Sequence, residues 1–204
     1  MTIDGQRLVF PDPHAAHQAG VRVIYQEPEI VPGTDVAENI WVGELPKRFG
    51  MLDRRKLYAQ VQESLNEYGF EGVLNVRMLG EHLSSAQRQV VEIMRAIKSG
   101  LRVLALDEPT SSLTEPEIER VFAMMRALKG QGVGIIFISH KLKEVMQVCD
   151  RFAILRDGKK VAEGAVSEVV DGSPANLKEL VDIGTVCGDK SDQCTRHPRV
   201  RNGG

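Results

Sequence analysis

Two wholly apolar runs, Val103-Leu104-Ala105-Leu106 and Gly134-Ile135-Ile136-Phe137-Ile138, constrain the fold of this chain more than any other feature. Both are short, and both end in polar residues: Asp107-Glu108-Pro109 after the first, Ser139-His140 after the second. Runs of this kind suit strands buried on both faces, as in a parallel sheet over which crossover segments lay helices. Parallel strands need long connections, and the intervening segment supplies one. Thr114 and Glu117 form a capping box, Ile118, Val121, Phe122, Met125 and Leu128 fall on one helical face, and Gly130 ends the helix. The expected class is α/β, with the sheet covered on both faces.

The remaining segments extend this pattern. Arg7 to Phe10 reads as a short strand stopped by Pro11 and Pro13, followed by a short helix around His14 to Gln18 that closes at Gly20. Val21 to Tyr25 is a second strand, and Gln26 to Gly33, with Pro28 and Pro32, is a loop. Asp53 caps a helix that places Leu57, Val61 and Leu65 on one side. Another helix begins at Ser84 or Ser85, turns Val90, Met94 and Ile97 inward, and stops at Gly100. After His140 a short helix reaches Cys149, and Phe152 to Leu155 and Lys160 to Ala162 flank Asp157-Gly158, a hairpin turn. Beyond about Asp171 the periodicity fades. Leu177, Leu180 and Val181 leave one helical turn, and residues 171–204 are expected to form a disordered tail.

Composition excludes several classes. A chain of 204 residues suits one or two domains, and its net charge of -2 offers no basic footprint for nucleic acid. No apolar stretch approaches the ~18 residues that span a bilayer, and Met1-Thr2-Ile3-Asp4-Gly5 does not begin a secretory signal. Cys149, Cys187 and Cys194 are an odd, sparse set that fits a reducing compartment. Cys187, Cys194 and His197 have metal-like spacing but no fourth ligand nearby, so incidental cysteines in a tail are the favoured reading.

Ligands of parallel sheets collect at the carboxyl ends of the strands, which is where Asp107 and Glu108 stand. Singly, each polar group here has an ordinary explanation. Two carboxylates can be a plain strand end, Gln26 a loop residue, Ser84-Ser85 an N-cap, and His140 a polar strand terminus. Their order is more informative: Gln26 after a strand, Leu83-Ser84-Ser85-Ala86-Gln87 opening a helix, Leu106-Asp107-Glu108-Pro109-Thr110 ending a buried strand, and Ile138-Ser139-His140-Lys141 ending the next. This set resembles the Q-loop, signature, Walker B and H-loop motifs of the ATP-binding cassette (ABC) ATPases, with Ser111-Ser112-Leu113-Thr114 similar to the D-loop. The signature region continued to Ile93, with Gln26-Glu27 and Val36-Ala37-Glu38-Asn39-Ile40, resembles the first cassette of the tandem ATPases of ribose, galactose and arabinose importers. The resemblance covers about Thr2 to Ser167.

The resemblance implies ATP and Mg²⁺ as cofactors and a role for each residue. Asp107, with Gln26, belongs to the Mg²⁺ shell. Glu108 activates the attacking water, and His140 stabilises charge on the transferred phosphoryl group. Ser84, Ser85, Ala86 and Gln87 present a helix start to nucleotide held by a second cassette, in trans or in the same full-length chain. Ser85-Ala86 stands where the family commonly has Gly-Gly, which puts the strength of that half-site in question. Further partners implied are transmembrane permease subunits, contacted by a helical subdomain of about residues 35–100, and indirectly a periplasmic sugar-binding protein; nucleic acid is not implied. The implied location is cytoplasmic, peripheral on the inner face of the cell membrane.

One element departs from the family. The phosphate-gripping Gly-x-x-x-x-Gly-Lys-[Ser/Thr] does not occur, and the Gly158-Lys159 pair lies in the hairpin turn. Residues 1–170 are therefore expected to form a partial ABC domain, truncated before its first strands, with exposed sheet edges and little ATPase activity on its own. The alternative is a non-catalytic ABC-like partner or relic that keeps the signature but cannot hold its own ATP. An ABC ATPase of DNA repair is disfavoured, because the span from Gln26 to Leu83 has no room for a coiled-coil or zinc insertion.

Overall fold

A computed structural model of the chain describes residues 2, 3, 5–97, 100–167 and 185–187. At the start, β1 (Thr2–Ile3) and β2 (Gln6–Arg7) form a small antiparallel ribbon. The strand expected over Arg7–Phe10 is thus shorter, and Leu8 to Phe10 leave the ladder as the prolines approach. Helix α1 (Pro13–Gln18) is capped by Asp12, whose side chain accepts from the Ala15 N–H. Gly20 then turns the chain at φ +83°, and a side chain there would collide with the Gly100 carbonyl. The Gly20 carbonyl accepts from Arg102 N and Val103 N, which aligns the strands that follow.

Strand β3 (Val21–Ile24) leads through a loop to helix α2 (Val36–Ile40), the ribbon β4 (Lys47–Arg48) and β5 (Met51–Leu52), and helix α3 (Arg54–Glu67). Asp53 accepts from Lys56 N, as its position before the apolar periodicity predicts, and Leu57, Val61 and Leu65 are fully buried. A short 3-10 turn at Gly80–His82 precedes α4 (Ser85–Ala96). This helical segment is joined by polar contacts between residues distant in sequence. Arg54 bridges Asp35 at 3.0 Å and Glu38 at 2.9 Å, Tyr58 donates to Asp35, and buried Asn39 accepts from Val31 N while donating to Thr34 Oγ1 and the Asp35 carbonyl.

The chain then follows the expected alternation: β6 (Val103–Asp107), α5 (Glu115–Gly130), β7 (Gly134–Ser139), α6 (Leu142–Val148), β8 (Arg151–Arg156) and β9 (Lys159–Ala165). Asp157 and Gly158 both have positive φ, as a two-residue hairpin requires. β3, β6 and β7 are parallel neighbours, with Ile24 opposite Leu106 and Leu106 opposite Phe137. One face, carrying Ile24, Leu104, Leu106, Ile135 and Phe137, is buried in the main core, where Phe122 of α5 meets Phe137 edge-on at 6.0 Å.

Three expectations need correction. Coverage of the second face is incomplete among the described residues: Val23 is about half exposed, and Ala105, Ile136 and Ile138 are only partly buried. Second, Thr185–Cys187, assigned to the disordered tail, forms β10 and pairs antiparallel with both β7 and β8. Those strands do not pair with each other, so their facing edges leave backbone groups for β10 to satisfy. Third, the sparse cysteine set suggests a reducing compartment, whereas Cys149, buried at the end of α6, is disulfide-bonded. The helical turn expected at Leu177, Leu180 and Val181 lies outside the described residues, as do Cys194, His197 and the side chain of Cys187.

Candidate active site

The three parallel strands bring their carboxyl ends to one edge. Gln26 lies two residues beyond Ile24 of β3; Asp107 closes β6 and pairs in register with Ile138; Ser139 closes β7. Glu108 follows at φ +47°, a left-handed conformation that is costly for a residue with a side chain. Its N–H donates to the Ile138 carbonyl at 3.0 Å, holding the turn against the neighbouring strand. This geometry delivers the Glu108 carboxylate to His140: Oε1 lies 2.8 Å from Nδ1. The carboxylate is 26% exposed and the imidazole 59% exposed, so the pair is open to a reactant on its outer side.

Beneath this pair lies a residue that the sequence reading passed over. Glu144, in the first turn of α6, is buried, and its Oε2 accepts from Thr110 Oγ1 at 2.6 Å and from Ser139 Oγ at 3.1 Å. Oε1 pairs with Lys141 Nζ at 3.0 Å, and Lys141 N donates to Ser139 Oγ. One carboxylate thereby ties the segment after Glu108 to the segment carrying His140. Its only signal in the sequence is Glu144 standing three residues after Lys141, a pairing common on exposed helices.

The Gln26 loop is held from α4. Glu92 accepts from Glu29 N at 2.8 Å, while Arg95 pairs with Glu92 at 2.9 Å and donates to the carbonyls of Glu29 and Asn39. Burial pushes the Glu92 carboxyl above its ordinary range, with Arg95 acting in the opposite direction.

Ser84 to Gln87 stand at the start of α4, about 8–12 Å along the axis from Glu92 at the helical rise. No hydrogen bond or ion pair joins them to Glu108 or His140 among the described residues. The Ser84 and Gln87 side chains are engaged in a capping box, and Gln87 Nε2 also donates to the Val73 carbonyl. What the start of α4 can offer a ligand is the backbone N–H groups of Ser85 and Ala86, which the helix itself leaves unpaired.

The donor set is suited to Mg²⁺ only in part. No cluster of three or more His, Cys, Asp and Glu occurs among the described residues. Mg²⁺ usually takes one or two protein carboxylates and completes its shell with waters and phosphate oxygens; Asp107 and the Gln26 amide at one edge fit that requirement. A separate open cleft of about 600 Å³, lined by Ala16, Arg22, Tyr25, Glu44 and Arg95 among others, contains none of these site residues.

A Glu–His contact and an amide at the carboxyl edge of a parallel sheet mark an α/β protein of the kind that handles ligands at strand ends. Residues 1–111, more than half of the chain, match the ABC transporter family, and the chain belongs to that family. Among curated relatives it is 49% identical over 169 residues to a "Ribose import ATP-binding protein RbsA 2" of Mesorhizobium japonicum, covering 82% of this chain and 32% of the relative. It is 42% identical over 168 residues to a "Ribose import ATP-binding protein RbsA" of Hahella chejuensis, covering 82% and 33%. It is 39% identical over 161 residues to an "Arabinose import ATP-binding protein AraG" of Azospirillum brasilense, covering 79% and 31%. The chain spans about a third of the length of these relatives. No helix among the described residues is long and apolar enough to cross a membrane.

Proposed function

We propose that this chain is part of the ATP-hydrolysing subunit of a sugar importer, coupling ATP hydrolysis to carbohydrate uptake from the cytoplasmic face of the membrane. The observation that carries this reading is the 2.8 Å contact between Glu108 and His140 at the sheet edge. The printed names of the relatives, ribose and arabinose import ATP-binding proteins, point to the same substrate class.

In this reading Glu108 is the general base that orients and deprotonates the attacking water. His140 fixes that carboxylate through Nδ1 and, with both ring nitrogens protonated, donates from Nε2 to stabilise developing negative charge. Asp107 and Gln26 would hold Mg²⁺, which would supply positive charge against the phosphates of ATP. Ser85 and Ala86 offer N–H groups to nucleotide held by a second cassette. Residues 35–100 outside the 47–56 stretch would meet the permease subunits, with the sugar-binding protein acting through the permease.

The test is a chimera in which a segment carrying Gly-x-x-x-x-Gly-Lys-[Ser/Thr] precedes Met1. The chimera should acquire Mg²⁺-dependent ATPase activity that Glu108→Gln lowers by at least about a hundredfold, while the 204-residue chain alone stays near background. A chimera that binds ATP and hydrolyses it equally well with Glu108→Gln would overturn the reading.

A further inference from the structure

The ribbon formed by β4 and β5 breaks two local rules at once. Lys47 pairs with Leu52 and Arg48 with Met51, so Phe49-Gly50 is a two-residue loop with φ of +53° and +82°. Such loops favour Asn, Asp or Gly at the first position, because a bulky side chain is strained there. Phe49 recovers nothing by packing in return: it is 91% exposed, with only the Arg48 guanidinium over its ring at 5.5 Å. Met51 beside it is 73% exposed. The ribbon then runs straight into α3, whose first turn holds Arg54, Arg55 and Lys56 and no acidic residue. That is the wrong sign for the positive end of a helix.

The stretch from Lys47 to Lys56 contains five basic residues and one acidic residue, in a chain whose net charge is -2. Arg54 is accounted for by Asp35 and Glu38. Lys47, Arg48, Arg55 and Lys56 are exposed and form no ion pair with a carboxylate among the described residues. Local rules broken without internal compensation mark surfaces shaped for something outside the chain.

We propose that the β4–β5 ribbon and the first turn of α3 form a docking surface for an anionic lipid bilayer. Phe49 and Met51 enter the headgroup boundary, and Lys47, Arg48, Arg55 and Lys56 contact the acidic headgroups. A protruding aromatic tip with flanking cations suits a lipid interface, which yields around an inserted ring. A protein partner would instead have to supply a matching pocket for a side chain that stands alone. Each basic side chain near an anionic surface strengthens binding by about fivefold, and the effect weakens with salt. The proposal is independent of the hydrolytic reading, because it uses none of the residues at the sheet edge.

The test is co-sedimentation of the full chain with phosphatidylcholine vesicles, with and without about one-third phosphatidylglycerol, at low salt. Binding is expected only to the anionic vesicles. Lys47→Gln with Arg48→Gln should weaken it by about 25-fold, two factors of five. Phe49→Ser should weaken it severalfold at every salt concentration, since its contribution is apolar. Lys159→Gln with Lys160→Gln, which removes two charges from β9, a strand of a different sheet, should leave binding within about twofold, and circular dichroism should show all variants folded. Equal binding to neutral vesicles, or equal loss from the Lys47/Arg48 and Lys159/Lys160 pairs, would overturn the assignment. So would binding to a poly-glutamate peptide with none to vesicles.

Discussion

Glu144 provides the sharpest test of how the strand-end edge carrying Glu108 and His140 is held together. In Glu144→Ala two buried hydroxyl donors, Thr110 Oγ1 and Ser139 Oγ, lose their charged acceptor. Hydrogen bonds to a charged group contribute about 1.5–3 kcal/mol each, giving roughly 3–6 kcal/mol for two. The Lys141 ion pair adds little, because the lysine side chain is 40% exposed and surface pairs are worth about 0–1 kcal/mol. Partial rehydration of the hydroxyls lowers the sum, so a loss of about 3–5 kcal/mol is expected, in line with breaking a buried polar network. Glu144→Gln keeps the shape and one acceptor oxygen and should lose about 1–2 kcal/mol. Urea unfolding with an unchanged m-value is the assay. In a double-mutant cycle, Thr110→Val and Glu144→Ala should couple by at least about 1 kcal/mol. Amide exchange offers a second readout: the Glu108 N–H, bonded to the Ile138 carbonyl, should exchange faster once the two strand ends are untied. A Glu144→Ala loss below about 1 kcal/mol, with no coupling to Thr110, would refute the view that this carboxylate fastens the Glu108 segment to the His140 segment.

Two further outcomes follow from the same bonding logic. Asn39→Ala leaves the Val31 N–H without its acceptor at 2.8 Å and removes the donor that reaches Thr34 and Asp35. It should lower stability by about 2–4 kcal/mol and Tm by about 10 °C, and a shift under about 2 °C would contradict it. Hydrogen bonds from the Thr114 backbone and hydroxyl hold the Glu117 carboxyl below its ordinary range. A depressed folded pKa means that this stabilisation is present above the unfolded value and is lost as pH falls through the folded one. The stability advantage of the native chain over Glu117→Gln should therefore shrink on acidification below the ordinary carboxylate range. An advantage that does not change with pH would exclude the linkage.

What could be read from the residues, and what could not, divides along physical lines. Strand interiors and helix faces were legible because burial imposes a period, and Leu57, Val61 and Leu65 or Leu104 and Leu106 have few other places to go. The shared edge of Gln26, Asp107, Glu108 and His140 was legible because parallel strands present their carboxyl ends together. The left-handed turn at Glu108 was not, since its cost is met by a bond to Ile138, thirty residues away on another strand. Glu144 was not either: its polar neighbours along α6 look like a solvated face, and only the approach of Thr110 makes it a buried anchor. β10 carries no periodicity of its own, and the unpaired edges of β7 and β8 determine its place. Phe49 is the opposite case. A hairpin signal at Arg48-Phe49-Gly50-Met51 is weakened by the aromatic residue in its first loop position, and no buried contact explains why it is there. A strained residue held by internal bonds, as at Glu108, is a part of the machinery of the fold. A strained residue left 91% exposed beside its neighbour's guanidinium directs attention to a surface beyond the chain.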